Sequence, residues 1–203
     1  MVPHSAVDLA ALAGTAGFAF DPADYPVPTS DIAALLALEQ QVTVHNLLIR
    51  ALLQMRCLLE NDRALDAALG EDGMRDPTAD IADDLAHAIT AALLFADEVG
   101  LQGRDAAADP TFARAFPALW PADPSGLRLG RFDLTARTFV LPLSPMVHSR
   151  AFAALPDPLR RLALKRLRRA LVRNWLPGRV ALPPEQRQAL HDHLTATLPG
   201  YGS

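Results

Sequence analysis

The sequence predicts an all-α fold, an irregular multi-helix bundle with one short strand or hairpin near 131–141. Three observations carry this. The run from Asp31 to Leu59 contains no glycine or proline and repeats apolar residues at helical spacing. Helix-starting pairs, a capping residue followed by proline, recur at Asp76-Pro77, Ser144-Pro145 and Asp157-Pro158. Only RFDLTARTFVL, residues 131–141, alternates with the period of two expected of a strand, through Phe132, Leu134, Ala136 and Val140.

The elements follow in chain order. Ser5 with Asp8 three residues on resembles a capping box, which predicts a short helix ended by Gly14 or Gly17. The stretch DLAALAGTAGFAFDPADY, beginning at Asp8, resembles the end of a leader domain found in precursors of some modified bacterial peptides. It holds no motif residue of chemical consequence, so the resemblance implies no function. Pro22, Pro26 and Pro28 mark a linker, and Thr29, Ser30 or Asp31 can cap the long helix that follows. Leu38, Val42, His45, Leu48 and Leu52 trace its expected apolar side. Asn61 to Leu69 reads as a separate short turn or helix closed by Gly70. A helix from Pro77 to about Glu98 follows, capped by Asp76 and ended by Gly100. Frequent prolines and glycines between Leu101 and Pro145 predict loops with a short helix from Pro110 to Phe116. Three more helices are expected: one from Ser144-Pro145 to Ala154, one after Asp157-Pro158, and one from Pro183-Pro184-Glu185 to about Leu198.

Composition limits the classes available. With 203 residues, 50% of them apolar, the chain can bury a full core as one globular unit. The single cysteine, Cys57, excludes an intrachain disulfide and any multi-cysteine metal site, and it fits a reducing cytoplasm. No Lys or Arg precedes the N-terminal apolar run and Asp8 interrupts it, so no signal peptide is expected. No charge-free apolar run reaches about 18 residues, so no transmembrane segment is expected and the chain reads as cytoplasmic. Eighteen Arg against one Lys, with abundant Ala, is a bacterial-type composition.

Charge is divided unevenly. Residues 1–149 carry nine Lys and Arg against twenty Asp and Glu, whereas residues 150–203 carry ten against three. This separates an acidic helical core, 1–149, from a basic C-terminal helical segment, 150–203, expected to pack on it. Seven of the cations fall in LRRLALKRLRRALVRNW, Leu159 to Trp175. At about 100° per residue Ala163, Leu164, Leu167, Ala170, Leu171 and Trp175 share one arc, and Arg161, Lys165, Arg166, Arg168, Arg169 and Arg173 the opposite one. The basic arc either docks on the acidic half or meets an anionic partner. No aromatic residue interleaves with the cations on that arc, so base stacking is not indicated.

Other residue types able to carry chemistry are sparse. Asp80, Asp83, Asp84 and His87 lie at i, i+3, i+4 and i+7 and share one side of their helix, where a metal or a proton-transfer step could use them. Acidic residues also gather at helix starts because the backbone dipoles favour them there. His45 is expected as a hydrogen-bonded core histidine. His191 and His193, two apart on a helix, diverge by roughly 200° and cannot chelate one ion. His148 adjoins Ser149 in a proline-bounded segment, an adjacency that does not by itself make a nucleophile and base. Cys57 reads as a small buried residue. No phosphate loop, nucleophile elbow or zinc-protease motif occurs.

The leading functional expectation is a non-catalytic helical accessory or adaptor protein acting through protein–protein binding, with no cofactor. The alternative is a nucleic-acid or other anion-binding module in which Arg161, Lys165, Arg168, Arg169 and Arg173 contact the partner. A third reading is a helical metal- or cofactor-dependent enzyme in which His45 and His87 face one another across two helices, with Asp80 and Asp84 as further candidate metal ligands.

Overall fold

The structure is a computed structural model that describes residues 7, 8, 21, 29, 30, 32–70, 72–101, 108–175, 177 and 182–202. The described helices are α1 (Ile32–Leu69), α2 (Asp76–Leu93), α3 (Pro110–Ala118), α4 (Arg150–Ala153), α5 (Asp157–Arg173) and α6 (Pro184–Thr197), with a 3-10 turn at Pro145–His148. Val7–Asp8 pairs antiparallel with Thr29–Ser30 over two residues each. The all-α bundle is therefore the fold. The short helix expected after Ser5 lies outside the described residues.

α1 is one helix of 38 residues where a break near Asn61 was expected. Nothing from Ile32 to Leu69 interrupts the hydrogen-bond ladder, and the first residue able to end it is Gly70, at φ +70°. The buried Asp62 side chain accepts from the Arg75 backbone N–H at 3.2 Å, tying the helix end to the start of α2. By length and composition α1 could also cross a membrane. Here its face of Ala33, Ala37, Val44, Leu48, Ala51 and Met55 is buried against protein.

That face corrects the expected apolar side. Leu48 is buried as expected and Leu52 partly so, but Leu38, Val42 and His45 are exposed. The helix is apolar on two opposite sides, and packing selects the one rich in alanine, where Ala51 joins Ala82 and Ala86 of α2, Ala37 leaves room for the Phe116 and Phe139 rings, and Ala33 packs with Leu101 and Leu134.

α2 packs on α1 and most extensively on α5, which in turn carries α6. The main core unites Val44, Leu48 and Met55 of α1, Ala82, Ala86 and Ile89 of α2, Leu159, Leu164 and Leu167 of α5, and Leu190 and Leu194 of α6. Ala163, Leu164, Leu167, Ala170 and Leu171 are buried, matching the expected apolar arc of α5. Trp175 does not belong to it. The helix stops at Arg173, Asn174 turns left-handed at φ 53°, and Trp175 emerges half exposed.

α2 ends at Leu93, short of the expected Glu98. Phe95 adopts φ 56°, a costly conformation for a bulky residue, and this places its ring 5.6 Å from that of Phe139. Phe112, Phe116 and Phe132 join the same cluster, with Phe116 stacked on Phe139 at 5.9 Å. Five of the eight phenylalanines thus organise the proline- and glycine-rich stretch after α2. Within it the expected strand is a tight hairpin: Phe132 bridges Phe139, and Leu134 donates to the Arg137 carbonyl at 2.8 Å.

The remaining starts follow local chemistry. Asp109 accepts from the Thr111 and Phe112 amides to cap α3. Ser144 caps the 3-10 turn and Ser149 caps α4, so the single helix expected from Ser144-Pro145 is two pieces.

Candidate functional site

The basic arc of α5 is the most strongly charged described surface. Arg161, Lys165, Arg168, Arg169 and Arg173 are all exposed. Among the described residues, Arg166 alone of the six arc cations reaches the acidic half, through a bidentate contact with Asp83 of α2. That guanidinium, more than burial opposes it, holds the Asp83 carboxyl below its usual range. Among the described residues the other five form no salt bridge. Asp80, Asp84 and His87 are exposed on α2 beside Asp83, so this cluster is a solvated helix surface flanking the basic arc.

Trp175 supplies an aromatic group where none was expected. The Arg169 guanidinium lies 4.3 Å from its ring centroid and that of Arg166 lies 5.9 Å away. Both distances suit cation–π contact. The helical wheel misplaced Trp175 because it continued the helix through the left-handed Asn174.

A second constellation is buried. The loop after α3 turns at Asp123, whose Oδ1 accepts from the Ser125 N–H at 2.9 Å, the Ser125 hydroxyl at 2.6 Å and the Leu127 N–H at 3.1 Å. Its Oδ2 lies 3.3 Å from Nδ1 of His193 on α6. A carboxylate can only accept, so Nδ1 carries the proton and donates. The His148 ring, at the end of the 3-10 turn, meets the His193 ring edge to face at 5.6 Å. Nε2 of each histidine is buried with no hydrogen-bond partner.

Electrostatics follow from this placement. The Ser125 hydroxyl bond leads the effects that hold Asp123 below its usual carboxyl range, outweighing burial. Burial pushes His193 down, opposed by Asp123. Burial, reinforced by His193, takes His148 down to about 4. Both imidazoles are therefore neutral near pH 7. An oriented Asp–His pair is half of a catalytic or metal-binding arrangement. Among the described residues no hydroxyl nucleophile meets Nε2, and no group of three or more His, Cys, Asp or Glu is placed to hold a metal.

The sequence discounted His193 as a chelating partner of His191, and the two do take different neighbours, since His191 Nδ1 lies 3.0 Å from the Tyr201 hydroxyl. What spacing could not reveal was Asp123, seventy residues earlier in the chain. Cys57, expected to be buried, is exposed. His45, expected in the core, is at the surface because the opposite side of α1 packs inward.

No family model, no curated protein and no solved structure matches this chain.

Proposed function

We propose that the protein is a non-catalytic helical accessory or adaptor protein that binds an acidic surface of another protein through the basic arc of α5. One observation supports this above the rest: five cations, Arg161, Lys165, Arg168, Arg169 and Arg173, face solvent and, among the described residues, form no salt bridge on a chain rich in carboxylates. Complementary charge across an interface speeds encounter and rejects wrong partners. The reading requires no cofactor and places the protein in the cytoplasm, where the exposed Cys57 stays reduced.

Trp175 favours a second reading, in which the arc binds single-stranded nucleic acid and the ring stacks a base. Two features weigh against it. The chain is acidic, with pI about 5.8, and Asp80 and Asp84 stand exposed beside the arc, where they repel a long polyanion. A compact acidic protein surface can meet the arc without crossing them.

The test is the triple variant Lys165→Gln/Arg169→Gln/Arg173→Gln, used beside the wild type in capture experiments from the native host after nuclease treatment. The reading expects a protein that the wild type holds, that salt releases and that the variant fails to hold at unchanged helicity. Equal capture by both forms refutes it. Salt-dependent binding of single-stranded RNA or DNA, weakened by Trp175→Ala as well as by the triple variant, establishes the second reading in its place.

A further inference from the structure

We propose that α1 pairs antiparallel with α1 of a second copy of this chain, making the protein a weak symmetric dimer. The surface concerned is the side of α1 that packing leaves out. Leu35, Leu38, Val42 and Leu53 are 58%, 56%, 47% and 60% exposed, and the partly buried Ile49 lies between them. At about 100° per residue these five side chains fall within a sector of roughly 60°, centred about 140° from the buried alanine-rich face. A second helix can therefore lie along this side without displacing α2 or the rest of the core. Contiguous apolar surface of this kind marks an interaction site.

Charge selects the occupant and its direction. Glu39 and Arg50 are exposed on the same edge of the stripe, about 20° apart on the helical wheel. In an antiparallel pair related by a two-fold axis the same edges of the two helices meet. Setting the axis at the His45–Asn46 peptide brings Leu38 level with the copy's Leu53 and Val42 level with its Ile49. In that register Glu39 stands within about 3 Å, along the helix axis, of the copy's Arg50, and the pair occurs twice. In a parallel two-fold pair opposite edges meet, so Glu39 and Arg50 would face the other edge, at Gln41 and Leu52, and form no such ion pair. The apolar stretch from Leu35 to Leu53 is about 27 Å long, and a contact of that length covers less than the roughly 800 Å² per partner of a standard interface. The dimer is accordingly reversible and concentration-dependent.

Sedimentation equilibrium of the full chain over a wide concentration range provides the test. The wild type should show a monomer–dimer equilibrium. Val42→Glu should weaken it by tenfold or more with helicity unchanged, because Val42 is not in the core. Glu39→Arg and Arg50→Glu should each weaken it several-fold, and the double variant should restore it. Cys57 reports direction: in the antiparallel pair the two Cys57 residues lie about 34 Å apart along the axis and cannot form a disulfide. With Cys57→Ser, the substitution Asn46→Cys near the two-fold axis should cross-link under mild oxidation. Several results would overturn the proposal: a monomer at every concentration, a dimer indifferent to Val42→Glu, single charge variants the double variant does not rescue, or a ready Cys57–Cys57 disulfide. Binding of the monomer to neutral phosphatidylcholine vesicles, abolished by Val42→Glu, would assign the stripe to a membrane surface and overturn it too.

Discussion

Acidification from about pH 7.5 to 4.5 should loosen the fold through the buried histidines, and His148 sets the scale. Its folded pKa lies near 4, below the ordinary 6.5, because burial and the neighbouring His193 disfavour the imidazolium. The unfolded chain takes up this proton at higher pH than the folded one, so the stabilising contribution is fully present above about pH 6.5 and is lost as pH falls toward 4. A shift of that size corresponds to about 3 kcal/mol in full. Roughly 2.5 kcal/mol of it is gone by pH 4.5, and partial exposure of the ring reduces this to about 2 kcal/mol. His193 acts in the same direction, since burial lowers it more than Asp123 raises it. Urea midpoints across this pH range, compared between wild type and His148→Leu, isolate the contribution. Leucine cannot ionise and leaves the Asp123–His193 pair in place, so the variant should lose about 2 kcal/mol less than the wild type on acidification. Parallel stability–pH curves for the two proteins would refute the argument from burial.

Three other outcomes follow from the packing. Leu48→Ala, at a fully buried position of α1, should cost about 2–5 kcal/mol in chemical denaturation. Gly130→Ala should cost about 1–3 kcal/mol, because the residue has φ +81° and an added Cβ would lie 2.9 Å from Phe116 Cε1; an unchanged midpoint would show that the phenylalanine cluster yields at that point. Chelation with EDTA should leave the far-ultraviolet circular dichroism spectrum unchanged, because among the described residues Cys57 and the dispersed histidines supply no structural zinc set. A loss of helicity would reveal a metal held by His45, His87 or the Asp80–Asp84 carboxylates.

How far sequence reaches into this protein depends on whether the information is local. Caps are only partly local. Ser144 starts its element as expected, whereas Asp76 and Asp157 lie inside the first turns of α2 and α5 and, among the described residues, make no side-chain capping bond. Asp109 and Ser149 cap elements where no cap was expected. A one-sided amphipathic helix is local, which is why the buried residues of α5 were legible in LRRLALKRLRRALVR. The Asp123–His193–His148 arrangement is not local. It joins a loop, a 3-10 turn and the last helix, and no spacing rule connects position 123 with position 193. The early end of α2 is of the same kind: Phe95 leaves the helix for rings at 112, 116, 132 and 139, a destination its neighbours in sequence do not encode.

α1 shows a different limit, in which the local information is present but two-valued. Periodicity reports that apolar residues recur; it does not say which of two recurrences faces inward. Leu38 and Val42 belong to one, Ala37, Val44 and Leu48 to the other, and Leu52 lies near the boundary with the core side. Side-chain size favours the larger set for burial, since each buried methylene contributes about 0.8 kcal/mol. Close packing favours the smaller set, because alanine at Ala33, Ala37 and Ala51 lets neighbouring backbone approach where leucine would hold it off. The neighbours differ along the helix: Ala51 shares the main core with Ala82 and Ala86 of α2, whereas Ala37 leaves room for the Phe116 and Phe139 rings and Ala33 for Leu101 and Leu134. The larger set is then left outside as an apolar surface longer than four turns of helix.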